Sequence, residues 1–219
     1  MTTGTTRVLL VGGHTRSIGK TALVVDIIRA FPDAAWTAAK ITQYGHGLCS
    51  INGKRCDCAP QQHSFALDEE TSRDNRTDTS RFLVAGATRS LWLRTKQGRL
   101  AEAMPLLGEA LRDAGNVIIE SNSLMDLLRP ALYLVVLDPA SADFKASARQ
   151  HLGEADAFIL RSELPADAWP DVSPGLLADK PAFQQRLGAP LPAELAEFVQ
   201  RGFFRRLSGV LSHPQHLSS

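Results

Sequence analysis

Val8-Leu-Leu-Val-Gly-Gly-His-Thr-Arg-Ser-Ile-Gly-Lys-Thr-Ala22 is the stretch on which the reading of this chain turns. It opens with four apolar residues, Val8 to Val11, without alternation. That is the pattern of a strand buried on both faces of a parallel sheet. Gly12 and Gly13 end the run and begin a loop. From Thr21 to Ala30 the apolar residues Leu23, Val24, Ile27 and Ile28 recur at helical spacing along one side. The order is therefore strand, glycine loop, helix.

A phosphate group needs close approach of several backbone N–H groups, which glycine permits, and the following helix adds its positive end. Gly13, His14, Thr15, Arg16, Ser17, Ile18, Gly19, Lys20, Thr21 and Ala22 are the candidate phosphate-binding residues. Lys20 is placed to reach the β and γ phosphates of a nucleoside triphosphate, and Thr21 to hold Mg²⁺ through its hydroxyl. The usual spacing leaves four residues between the outer glycine and the Gly-Lys pair. Here five separate Gly13 from Gly19, and His14 occupies the expected glycine position.

Outward from this stretch, the pattern continues as strands alternating with helices. Ala34 to Ile41 reads as a second strand, Ser90 to Arg94 as a third and Val117 to Glu120 as a fourth. Leu132 to Leu137 and Ala157 to Leu160 are the fifth and sixth. Leu100 to Ala114 has helical periodicity, with Gly115 fitting its C-terminal stop. Tyr44 to Pro60 is loop by composition, and Gln61 to Asp78 is polar and charged, the composition of a mobile segment. Pro165 to Pro190 is proline-rich and reads as irregular, and Leu191 to Leu207 closes as an amphipathic helix. Alternation of this kind predicts an α/β fold, a three-layer sandwich around a mainly parallel sheet.

The 219 residues suit one domain, spanning 1–219 with a cysteine-containing loop at about 44–63. Basic and acidic side chains number 24 and 23, a net charge of +1, which argues against a dedicated nucleic-acid surface. No apolar run is long enough to span a bilayer, and Val8–Gly13 is too short for a signal-peptide core. A cytoplasmic protein with no membrane or nucleic-acid partner is the expectation.

The five-residue loop is similar to that of dethiobiotin synthetase. Lys40-Ile-Thr-Gln-Tyr-Gly45 resembles that enzyme's Lys-Pro-Val-Gln-Thr-Gly segment, whose lysine lies near the transferred phosphate. The molybdopterin-guanine dinucleotide biosynthesis protein B also carries a lysine there, and Ser80-Arg81 followed by Ala85-Gly86-Ala87 is similar to its Ser-x-Arg…Ala-Gly-Ala stretch. Val117-Ile-Ile-Glu-Ser-Asn122 resembles the hydrophobic-Ile-Glu-Ser-Gly segment of the nickel-insertion GTPases of urease and hydrogenase. Leu134–Asp138 and Ala155–Leu164 look like their next two strands. The resemblance implies a P-loop NTPase, with Lys20, Glu120 and Lys40 as candidate catalytic residues and Arg81 in the same site. Where those GTPases read guanine with Asn-Lys-x-Asp, this chain has Arg161-Ser162-Glu163, which favours ATP over GTP although Glu163 offers a carboxylate.

Glu120 ends an apolar strand, so it points into the cleft at the carboxyl edge of the sheet, where it serves Mg²⁺ or orients a nucleophile. Asp138 reads as a turn residue before Pro139. Cys49, Cys56 and Cys58, with His46 or His63, form a compact set of soft ligands suited to Zn²⁺ or Ni²⁺. Free thiols, or a metal that only pins the loop, are the alternatives.

These readings converge on Mg²⁺-dependent binding and slow hydrolysis of ATP, or of GTP, by an accessory NTPase that works on a partner protein in cofactor or metal-centre assembly. A homodimer is expected by analogy with the class. The competing readings are a dethiobiotin-synthetase-like ligase or kinase acting on a small carboxylate, and a non-catalytic nucleotide-gated adaptor.

Overall fold

The computed structural model describes residues 6–45, 64–165 and 168–204. In chain order the strands are β1 (Arg7–Gly13), β2 (Thr37–Tyr44), β3 (Phe65–Glu69), β4 (Arg89–Lys96), β5 (Asn116–Glu120), β6 (Leu132–Leu137), β7 (Ala157–Leu160) and β8 (Ala182–Gln184). The helices are α1 (Lys20–Ala30), α2 (Asp78–Ala85), α3 (Leu100–Leu111), α4 (Ala146–Gln150), α5 (Pro174–Ala178) and α6 (Ala193–Val199). The described strands form one sheet in the order β3-β4-β2-β5-β1-β6-β7-β8. Every pairing is parallel except β3 with β4.

Period-two alternation along the interior strands makes the two cores. Leu10, Val117, Ile119, Val135 and Leu137 face one layer, against Leu100, Ala103, Leu107 and Leu111 of α3. Leu9, Val11, Ile118, Leu134 and Val136 face the other, against Leu23, Val24, Ile27 and Ile28 of α1 and Leu195 and Val199 of α6. Leu9, Leu10, Ile27 and Ile28 have no exposed surface. Burying each such side chain stabilises the fold by about 1.5–3 kcal/mol. The result is the expected α/β three-layer sandwich.

Several local expectations are corrected. The second strand begins at Thr37 rather than Ala34, because Pro32–Ala34 forms a 3₁₀ turn and Ala35 is left-handed at φ 49°. Gln61 to Asp78, whose composition reads as mobile, contains β3, an edge strand whose side chains pair by charge with β4: Arg89 grips Glu69 at 2.8 and 3.0 Å, and Arg94 pairs with Asp68. Between that segment and the third strand, where the sequence reading assigns no helix, the chain also forms α2, which Thr77 and Ser80 start with a reciprocal capping box. Within Pro165–Pro190 the chain forms α5 and β8. The closing helix is regular only over Ala193–Val199 and continues as a π-type turn to Phe204. Its Phe203 stacks on the buried Trp36.

The consequence for function is positional. β5 is inserted between β1 and β2, so Glu120 at its carboxyl end lies in register with Val11 of β1 and with Lys40, four residues before the end of β2.

Candidate functional site

The loop between β1 and α1 is closed on itself. Ser17 and Gly19 both adopt positive φ, 58° and 86°. A Cβ on Gly13 would sit 2.7 Å from Ile18 Cδ1 and 3.1 Å from the Val136 carbonyl, so a larger residue there would have to displace Ile18. The Gly13 N–H donates to Asn122 Oδ1 at 2.9 Å. Thr15 donates its hydroxyl to Asp143. Lys20 curls back to donate to the Thr15 carbonyl at 2.6 Å. Arg16 and Ser17 are exposed at the loop tip, and Ile18 is buried beneath it. The His14 ring is fully buried, 5.1 Å from Phe144 and 4.9 Å from Trp169, and burial pushes its pKa down.

Positive charge gathers near Lys20. Burial pulls the Lys20 ammonium down to about 8. Glu120 opposes that shift, while Lys40, Lys145 and Arg16 add to it. Lys40, Lys145 and Arg16 thus lie close enough to Lys20 to act on its charge.

Beside them the middle of β2, the end of β5 and the first turn of α1 bring three of the expected residues together. The Thr21 hydroxyl donates to Glu120 Oε2 at 2.7 Å, and Lys40 Nζ donates to Glu120 Oε1 at 2.9 Å. Lys40 Nζ also pairs with Asp78 and stands 3.5 Å from Thr21 Oγ1. Burial works against its charge, but Glu120 and Asp78 outweigh burial and raise its pKa. Asp78 was not singled out from sequence; its only local signal is the Thr77–Ser80 capping box that starts α2. Arg81, one turn on, lies 3.5 Å from Asp78. Thr21, Asp78 and Glu120 are hard oxygen donors gathered around one ammonium, a donor set that fits Mg²⁺.

Arg161 is the second residue whose role the sequence left open. Its side chain lies behind the loop and donates to the Ile18 carbonyl at 3.2 Å and the Gly19 carbonyl at 2.6 Å. It also donates to the backbone and side-chain oxygens of Gln185, each at 3.0 Å. Glu163 stands exposed at the rim of a cleft of about 830 Å³ that runs from Arg161 past Gln184 to Pro192. Asp138 accepts from the Ala140 N–H, as a turn residue would. Arg73 and Arg76 are occupied outside the site, by the Leu83 carbonyl and by Asp74. His46, Cys49, Cys56, Cys58 and His63 lie outside the described residues.

The fold is that of the P-loop NTPases: an interior parallel strand runs through a glycine loop into a helix that begins Lys-Thr. The solved structures it resembles include HypB from Helicobacter pylori in complex with nickel. That superposition has a TM-score of 0.50 at 16% identity and covers 89% of this chain and 86% of that one. The hydrogenase maturation factor HypB from Archaeoglobus fulgidus gives a TM-score of 0.50 at 12% identity, covering 89% of each chain. At these identities the likeness is one of fold. The chain matches no protein-family model and no curated protein. Among the described residues, no helix is long and apolar enough to cross a membrane.

Proposed function

We propose that this chain is a Mg²⁺-dependent nucleoside triphosphatase, with ATP preferred over GTP, serving as an accessory NTPase in cofactor or metal-centre assembly. One observation carries the reading: Thr21, Glu120 and Asp78 converge on the Lys40 ammonium at the mouth of a loop crowded with cations. The loop amides that follow His14, with Lys20, take the triphosphate, since the Gly13 and His14 N–H groups are held by Asn122 and the Val136 carbonyl. Thr21, Glu120 and Asp78 hold Mg²⁺, which neutralises phosphate charge when bound. Lys40, freed from its two carboxylates, faces the transferred phosphate. Lys20 and Lys40 then stabilise the charge that develops there.

The soft-ligand set His46, Cys49, Cys56 and Cys58 follows directly on β2, which carries Lys40. A Zn²⁺ or Ni²⁺ bound there would lie close in sequence to the residues that sense nucleotide. Nickel in the structure of HypB from Helicobacter pylori is in keeping with a metal-linked role, and a homodimer acting on a partner protein is part of the same reading. The position of Lys40 also favours a second reading, an ATP-dependent ligase or kinase in which this lysine receives a small carboxylate. Hydrolysis assays separate the two. An accessory NTPase hydrolyses ATP slowly alone, with Mg²⁺ required and activity lost in Lys20→Ala. A ligase stays silent until its acceptor is supplied. Failure of the wild-type protein to bind any nucleoside triphosphate by calorimetry would refute both.

A further inference from the structure

We infer that Arg161 is a positioning residue of the phosphate loop, clamping its outward carbonyls so that the inward amides stay available to a triphosphate. This rests on the triphosphate-binding reading above. A loop that turns its N–H groups toward an anion must turn carbonyls the other way, and those carbonyls need donors. Arg161 supplies one to Ile18 and a second to Gly19, whose carbonyl also accepts the Leu23 N–H at 3.1 Å; these are the last two residues before α1. Gly19 is the residue held at φ 86°.

The clamp is anchored at its far end. Arg161 also holds both oxygens of Gln185, and the Gln185 side-chain amide donates to Asp26 Oδ2 at 2.8 Å. Asp26 lies on α1, the helix that the loop feeds. The hydrogen bonds therefore form a ring: loop to helix, helix to Gln185, Gln185 to Arg161, Arg161 to loop. Arg161 and Gln185 are 8% and 2% exposed, so water does not substitute for them. The planar guanidinium reaches four acceptors at fixed angles, which an ammonium cannot do.

The donors of Arg161 are directed at protein oxygens. At the position where the GTPases this chain resembles carry their base-reading segment, this residue instead serves the loop. Its loss should weaken every triphosphate equally, whatever the base.

Calorimetric titration of Mg-ATP, Mg-GTP and Mg-tripolyphosphate onto wild type, Arg161→Ala, Arg161→Lys and Gln185→Ala tests this, alongside amide exchange of the nucleotide-free proteins. Arg161→Ala should lose about tenfold or more in affinity for all three ligands, in the same proportion. Free guanidinium should recover part of the loss, and Arg161→Lys should recover less than the guanidinium ion does. Gln185→Ala should show a smaller loss in the same direction, and it decides the matter if Arg161→Ala fails to fold. The amides of Gly19, Lys20 and Thr21 should exchange faster in each variant. Loss confined to ATP or GTP, with tripolyphosphate unaffected, would make Arg161 a base reader and overturn the inference. Unchanged affinities and unchanged exchange would overturn it as well. If the wild type bound none of the three, the nucleotide reading would fail, and the exchange rates alone would decide the clamp.

Discussion

Lys40→Met tests whether the ammonium of Lys40 stands on a divalent-cation site. The substitution keeps most of the stem and removes the charge that Glu120 and Asp78 share. Lys40 and Glu120 are 2.9 Å apart, with side chains 21% and 7% exposed. At an effective dielectric of about 20, such a pair attracts by roughly 6 kcal/mol before desolvation is subtracted. Breaking a buried pair by removing one partner costs about 3–5 kcal/mol. Asp78 is 36% exposed, so solvent screens its share. With some water reaching Lys40, a loss of about 3 kcal/mol is the working figure. For a chain of this size that lowers Tm by roughly 6–12 °C. The two carboxylates and Thr21 would then lack their internal cation, and a divalent ion gains what Lys40 provided. About 3 kcal/mol corresponds to roughly a hundredfold in affinity. Mg²⁺ at about a hundred times its Kd would restore roughly 2.7 kcal/mol. The assay is differential scanning calorimetry of nucleotide-free protein with and without Mg²⁺, with Mn²⁺ binding followed by electron paramagnetic resonance. The expected result is a large melting shift in the variant that Mg²⁺ largely reverses, with Mn²⁺ bound far more tightly than by wild type. A drop that Mg²⁺ leaves in place, with unchanged Mn²⁺ affinity, would refute the assignment.

Gly19→Ala forces an L side chain into φ 86° and sets its Cβ 3.0 Å from two Arg161 nitrogens. A cost of about 1–2 kcal/mol follows from the conformation alone, and triphosphate affinity should fall at least about tenfold; unaltered affinity would contradict the loop assignment. The buried His14 has a pKa below its ordinary value of about 6.5. Below that pH the unfolded chain takes up a proton that the folded chain declines, so stability falls on acidification until the folded-state pKa is passed. His14→Phe should flatten this slope in urea melts run between about pH 5 and 7, and an identical slope in both proteins would show that His14 is not held neutral. Protein purified without oxygen should carry about one Zn²⁺ or Ni²⁺ per chain, lost in Cys56→Ser/Cys58→Ser; equal metal content in the two would remove the cysteine site. Glu120→Gln keeps the shape of the side chain but removes its charge, and should abolish Mg²⁺-dependent hydrolysis while leaving nucleotide binding measurable; full hydrolytic activity in the variant would remove Glu120 from the hydrolytic site.

What the chain could declare locally, it declared. Val8–Val11, Val117–Glu120, Leu132–Leu137 and Ala157–Leu160 are apolar runs whose burial on both faces is written in their composition. The strand–loop–helix around Gly19-Lys20-Thr21 was legible because glycine conformation, helix periodicity and spacing act over a few residues. Glu120 could be assigned to the site because an acid that ends a parallel strand has one edge of the sheet to face. β3 was hidden because an edge strand answers to its partner: Asp68 and Glu69 meet Arg94 and Arg89 across the ladder, and nothing within Phe65–Glu69 announces this. The site itself depended on the order of strands. Threading β5 between β1 and β2 sets Lys40 beside Glu120, 80 residues away in the chain, and Thr21 beside the same acid across 99. Asp78 reaches Lys40 across 38 residues, and Arg161 reaches Ile18 across 143. Such meetings follow from how crossovers close over the sheet and which faces then pack, a global free energy that no local periodicity encodes. The sequence by itself determined the strand, glycine loop and helix and the class of fold they belong to; tertiary structure alone decided which cation sits among Thr21, Asp78 and Glu120 and which guanidinium hydrogen-bonds the loop carbonyls.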